Sequence, residues 1–152
     1  MKKTTIFLLI CLIILTAFSG CIDDYEEGDM TKSYEMYIKI GDKILTAEMI
    51  DNAATQKLKS MLTQSDIELD MQDYANMEKV GRLSESLPAD DKYINTQAGD
   101  IILYQGNQFV IYYDTNSWSL TRLGKIKDIT AQELKSILGK GDIKIVLSLK
   151  NS

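Results

Sequence analysis

Few side chains in this sequence are equipped for chemistry. Histidine is absent, which removes Ser-His-Asp and Cys-His nucleophilic catalysis, histidine zinc sites and any histidine pH switch. The two cysteines, Cys11 and Cys21, both fall within the first 21 residues, and the two arginines are Arg82 and Arg122. Carboxylates lie close together at Asp70 with Asp73 and at Glu48 with Asp51. Such pairs can exchange protons in acid–base catalysis, but beside strands they more commonly face solvent. Gly139-Lys140-Gly141 follows a helix pattern instead of preceding one, so it reads as a helix stop and not a phosphate cradle. Met61, Met71 and Met77 read as core filler.

Two groups stand apart from this background. The segment Tyr104 to Tyr113 concentrates Tyr104, Phe109, Tyr112 and Tyr113 around a small polar turn that contains Asn107. A continuous aromatic run places residues on both faces of a strand, so half of these rings are expected to reach the surface. The second group is Arg122 with Glu78, because a scarce arginine in a lysine-rich chain suggests a bidentate carboxylate partner. Glu78, Tyr104, Asn107, Phe109, Tyr113 and Arg122 are therefore the candidate ligand-binding residues. A concave site with aromatic walls and a few polar groups is the default binding site. No catalytic residue, metal ligand or cofactor is indicated.

The amino-terminal residues read as an address. Lys2 and Lys3 precede the apolar run Ile6 to Phe18 and the small pair Ser19-Gly20, the order of parts in a secretory signal peptide. The run is short for a bilayer span, which takes about 20 apolar residues. Its end, Phe18-Ser19-Gly20-Cys21, resembles the lipobox of bacterial lipoproteins, with Phe18 in place of the usual aliphatic residue. The resemblance implies cleavage before Cys21 and acyl chains, such as palmitate, on that residue. Residues 1–20 are then the signal peptide and residues 21–34 the lipidated cysteine with a tether. The tether carries Asp23, Asp24, Glu26, Glu27 and Asp29 against Lys32 alone. It has little to bury and reaches about 20 Å by random-coil scaling.

Setting residues 1–20 aside leaves 132, enough for one domain. The mature chain has 15 basic and 22 acidic residues, a net charge of −7. With two arginines, it is a poor partner for nucleic acid, and acyl chains instead of charge are expected to hold it to a membrane. Apolar residues at 45% and charged residues at 26% fit a globular domain over residues 35–152.

Elements within that domain follow from hydrophobic period. Met36, Ile38 and Ile40 alternate with polar neighbours, Gly41-Asp42 turns the chain, and Leu45, Ala47 and Met49 return. Asp51-Asn52 caps a helix whose stripe is Ala54, Leu58, Met61 and Leu62. Ile67, Leu69 and Met71 mark a strand, and Lys79 to Leu83 a short one. Ser84 to Gly99 reads as a long loop around Pro88. Ile101 to Tyr104 and Phe109 to Tyr113 form a hairpin, and Trp118 to Leu123 and Lys144 to Leu149 add strands. Thr130 with Glu133 makes a capping box, Ile129 with Leu134 a hydrophobic staple, and Gly139 ends that helix. About eight strands and two helices are best satisfied by a largely antiparallel barrel capped by the helices, since closure removes exposed edges.

These elements carry a resemblance. Leu45-Thr46-Ala47 with Asp51-Asn52, Met71-Gln72-Asp73-Tyr74 and Glu78-Lys79 resemble the cyclophilin-like domain family of bacteria and archaea. So do Gly99-Asp100-Ile101 with Tyr104, Gly106-Asn107, Val110-Ile111-Tyr112-Tyr113 and Arg122-Leu123-Gly124-Lys125-Ile126. The likeness spans residues 35–149 and implies an eight-stranded antiparallel barrel closed by two helices. It does not imply a settled activity. The reading is a membrane-tethered extracytoplasmic lipoprotein, on the cell membrane or outer membrane, whose barrel binds a peptide, protein or small ligand without catalysis. The alternative is a peptidyl-prolyl isomerase acting on secreted proteins. Neither Val80-Gly81-Arg82-Leu83-Ser84 nor Leu120-Thr121-Arg122-Leu123-Gly124 resembles the catalytic-arginine phrase of cyclophilins proper.

Overall fold

The computed structural model describes residues 33–151. The signal segment, Cys21 and nearly all of the tether lie outside the described residues. The first strand, β1 (Tyr34–Ile40), takes Tyr34 from the end of the tether, and Tyr34 Oη donates to the carbonyl of Thr55 at 3.0 Å. Then come β2 (Lys43–Met49), α1 (Ala53–Gln64), β3 (Ile67–Tyr74) and β4 (Glu78–Arg82). They are followed by β5 (Lys92–Thr96), β6 (Asp100–Tyr104), β7 (Gln108–Tyr112), β8 (Asn116–Ile126), α2 (Ala131–Leu138) and β9 (Ile143–Ser148).

All strand pairings are antiparallel. The ring runs β2, β1, β9, β3, β4, β7, β6, β8 and back to β2, an eight-stranded closed barrel. Alternation along each strand sends one set of side chains inward, including Met36, Ile38, Leu69, Met71, Leu103, Phe109, Ile111 and Leu147. Each large aliphatic side chain buried in this way contributes roughly 1.5–3 kcal/mol. The closing seam pairs Met49 with Gly124 and Ala47 with Ile126. A Cβ at Gly124 would land on the carbonyl oxygen of Glu48 and lie 2.9 Å from Met49 Sδ. Only glycine lets β8 approach β2 closely enough to shut the ring.

Both helices lay their apolar faces on the same core. Asn52 caps α1 by accepting from the Thr55 amide at 2.9 Å, while Thr55 Oγ1 accepts from the Asn52 amide at 3.1 Å. Ala54, Leu58 and Leu62 of this helix are buried, and Met61 packs beside them. The Thr130–Glu133 capping box opens α2, which buries Leu134 and Leu138. Gly139 ends it with φ at +63°.

The structure corrects the reading of Ser84 to Gly99 as loop throughout, because β5 lies inside it. This ninth strand is not part of the ring: it pairs only with the first half of β8, Lys92 opposite Leu120 through Thr96 opposite Asn116. Ile94 is its one large apolar side chain directed at packed neighbours. Side chains secure it instead: Thr96 Oγ1 bonds the Asn116 amide at 3.0 Å, and Thr121 Oγ1 bridges Asp91 and the Asp90 amide. β8 is correspondingly longer than Trp118 to Leu123.

Candidate functional site

Strand register assembles the outer face of β3, β4, β7 and β6 in rows. Tyr74, Glu78 and Tyr112 are successive cross-strand partners, and so are Gln72, Val80, Val110 and Ile102. A third row brings Gln108 opposite Tyr104. Ile102, Val110, Tyr112 and Leu120 are buried together on this face, apart from the barrel interior, with Val80, Ile94 and Tyr104 packed against them. The first half of β8, carried outward beyond the ring and backed by β5, stands alongside with Asn116, Trp118 and Leu120.

Between these walls lies a cavity of about 490 Å³, within the size range of small-ligand sites. Its lining includes four aromatic side chains, Tyr74, Tyr104, Tyr112 and Trp118, over a floor of Val80, Val110 and Leu120. The polar groups are Gln72, Gln108, Asn116 and the carboxylates Asp73 and Glu78. Among the described residues no lysine or arginine lines it. Trp118 is 57% exposed and Tyr74 64%, so large apolar surfaces stand in water at the rim.

The two carboxylates have different surroundings. Burial pushes the Glu78 carboxyl above its ordinary range, partly offset by the neighbouring Tyr112 hydroxyl. That hydroxyl accepts from Asn116 Nδ2 at 3.1 Å, which leaves its own hydrogen for Glu78, and burial followed by the Glu78 contact raises its pKa. Glu78 Oε2 is buried without a hydrogen-bond partner. Asp73 points inward, where Lys79 Nζ donates to Oδ1 at 2.8 Å and Tyr113 Oη at 2.6 Å. These bonds, Lys79 first, hold the Asp73 carboxyl below its ordinary value.

Of the six candidate binding residues, the structure brings Glu78 and Tyr104 to the cavity. Phe109 and Tyr113 are a correction: with Ile111 they form the inward set of β7 and its continuation, so both are buried in the barrel core. Asn107 sits in the β6–β7 turn, where its amide oxygen, turned toward Arg82, accepts from Nη2 at 3.2 Å and Nε at 3.3 Å. Arg122 does not pair with Glu78. Its Nη1 lies 2.8 Å from Asp100 Oδ2, and Lys125 joins the same carboxylate at 3.5 Å. Asp73 is likewise an ion-pair partner and not a solvent-facing charge, whereas Asp70 is exposed. Sequence reasoning missed Tyr112 and Trp118 as cavity walls. The period-2 rule carried a signal for the first, since an inward Phe109 requires an outward Tyr112.

A cavity on the outer wall of a closed antiparallel barrel is a feature to compare with known proteins. The model of the cyclophilin-like family matches residues 38–148. This chain belongs to the cyclophilin-like family. No curated protein matches the chain. The solution structure of a hypothetical protein from Archaeoglobus fulgidus resembles this cyclophilin-like domain with a TM-score of 0.55 and 10% sequence identity. The match covers 81% of this chain and 99% of that one. At such identity the likeness speaks for the fold alone.

Proposed function

We propose that the chain is an extracytoplasmic lipoprotein, held to a membrane by acyl chains on Cys21, whose barrel binds a ligand in the outer-face cavity without transforming it. The observation that carries the binding reading is the cavity itself, with aromatic walls, an apolar floor and few polar groups. The cyclophilin-like fold is consistent with a binding module or an isomerase. Prolyl isomerisation by an arginine would need a guanidinium aimed at the bound amide. Arg122 is engaged by Asp100, and neither it nor Arg82 lines the cavity. The tethering rests on the apolar run, Ser19-Gly20-Cys21 and the acidic segment that follows.

The protein purified as the cell makes it is expected to leave the cis/trans conversion of a proline-containing peptide at its spontaneous rate. Acceleration lost in Arg82→Ala or Arg122→Ala would establish the isomerase instead. Mass analysis of the mature amino terminus is expected to find diacylglycerol on Cys21, and Cys21→Ser to release the protein from the membrane. An unmodified terminus elsewhere would refute the anchor.

A further inference from the structure

The cavity's polar groups are unevenly matched. No lysine or arginine is among its lining residues, Asp73 turns its carboxylate inward to Lys79, and one oxygen of the remaining carboxylate, Glu78 Oε2, is buried with nothing to accept from. A buried acceptor without a donor has an unmet hydrogen bond, so a cavity lined by that carboxylate's side chain is a place for a ligand's N–H. The aromatic residues add to this, because ring faces attract cations, most strongly when the site excludes water. The mature chain's net charge of −7 raises the local concentration of positive ligands.

From this we propose that the outer-face cavity takes an organic cation with N–H donors, a protonated amine or guanidinium, carried on an apolar stem. The inference rests on the binding reading above and deepens it. The head group donates to the Glu78 carboxyl, beside which stands Tyr112, itself held by Asn116. The stem lies along Val80, Val110 and Leu120, and Trp118 and Tyr104 flank it. A carboxylate or phosphate ligand would meet Glu78 with no basic side chain among the lining residues to offset the repulsion. A quaternary ammonium would satisfy the rings and leave Oε2 unpaired.

Trp118 is the chain's single tryptophan and lines the cavity, so its fluorescence reports occupancy. Pentylamine, pentanol and pentanoate share a stem and differ in head-group charge; each is titrated against the mature protein at neutral pH. Pentylamine is expected to give a saturable change and to bind at least tenfold more tightly than the other two. Glu78→Gln is expected to weaken pentylamine at least tenfold, and Gln108→Lys, which places a competing ammonium in the cavity, to abolish its binding. A blocked alanine pentapeptide with a central lysine separates the two sources of such a head. Tighter binding than pentylamine points to a peptide side chain, and weaker binding to a free amine. Pentanol or pentanoate binding as well as pentylamine, or Glu78→Gln binding it unchanged, overturns the cation inference and leaves the cavity as a binding site. A Trp118 signal silent to every probe overturns both.

Discussion

Glu78 and Lys79 are consecutive in β4 and face opposite sides of the barrel wall. Lys79 is fully buried in the interior, and its ammonium has three acceptors for its three protons: Asp73 Oδ1 and the carbonyls of Gly139 and Gly141. Tyr113 donates to the same Asp73 oxygen. This knot ties the end of α2 to β3, β4 and the residue after β7. On the other side, Glu78 lines a cavity, meets one hydroxyl and leaves one buried oxygen without a donor. A buried charge whose valences are all filled is part of the framework. A half-buried one with an unfilled valence, next to open volume, has room for something the chain does not supply.

The contrast can be broken by removing either side. Lys79→Ala deletes the ammonium, leaves Asp73 without its counter-ion and two carbonyls without their donor, and is expected to cost about 3–5 kcal/mol in urea unfolding. A loss that large from Glu78→Gln, or none from Lys79→Ala, would erase the distinction. Tyr113→Phe keeps the ring and removes one bond to a carboxylate, for an expected loss of about 1.5–3 kcal/mol by the same measurement. Acid separates the two carboxyls by sign. Asp73 has a lowered folded pKa, so its stabilisation is complete above its ordinary value of 3.8 and is lost as pH falls below it. Urea midpoints measured from pH 2 to 5 are expected to show this limb in the wild type, and Asp73→Asn to flatten it. Glu78 has a raised folded pKa, so the folded state holds its proton longer and stability declines as pH rises past 4.5. Glu78→Gln removes that decline. At neutral pH its unfolding midpoint is expected to be unchanged or slightly raised, the smallest effect of the set.

Most of the barrel was legible in period and punctuation. Met36, Ile38, Leu45 and Ala47 alternate cleanly, and Thr130, Glu133 and Gly139 bound α2 as their side chains and backbone freedom require. β5 was not legible, because a strand outside the ring has little to bury. Lys92, Tyr93 and Asn95 are exposed, and the side-chain bonds that hold β5 to β8 involve partners 20 or more residues away. Missing β5 meant missing the rim, since Ile94 is the cross-strand partner of Trp118. The site itself was half visible. Aromatic enrichment around Tyr104 pointed to the correct hairpin, but enrichment does not say which side of the strand each ring occupies. Arg122 was misassigned because its partner, Asp100, is set by the β6–β8 register, which carries an irregularity between Ile101 and Ile102.

Amide chemical-shift mapping of the protein with pentylamine tests most directly whether the outer face is where ligand binds. Shifts are expected at Val80, Tyr104, Val110 and Tyr112 and at the Trp118 indole, with Leu69, Ile111 and Ile145 inside the barrel left unmoved. Shifts centred instead on Asp100 and Arg122, or on the turn holding Asn107, would place binding elsewhere and contradict the assignment of this cavity.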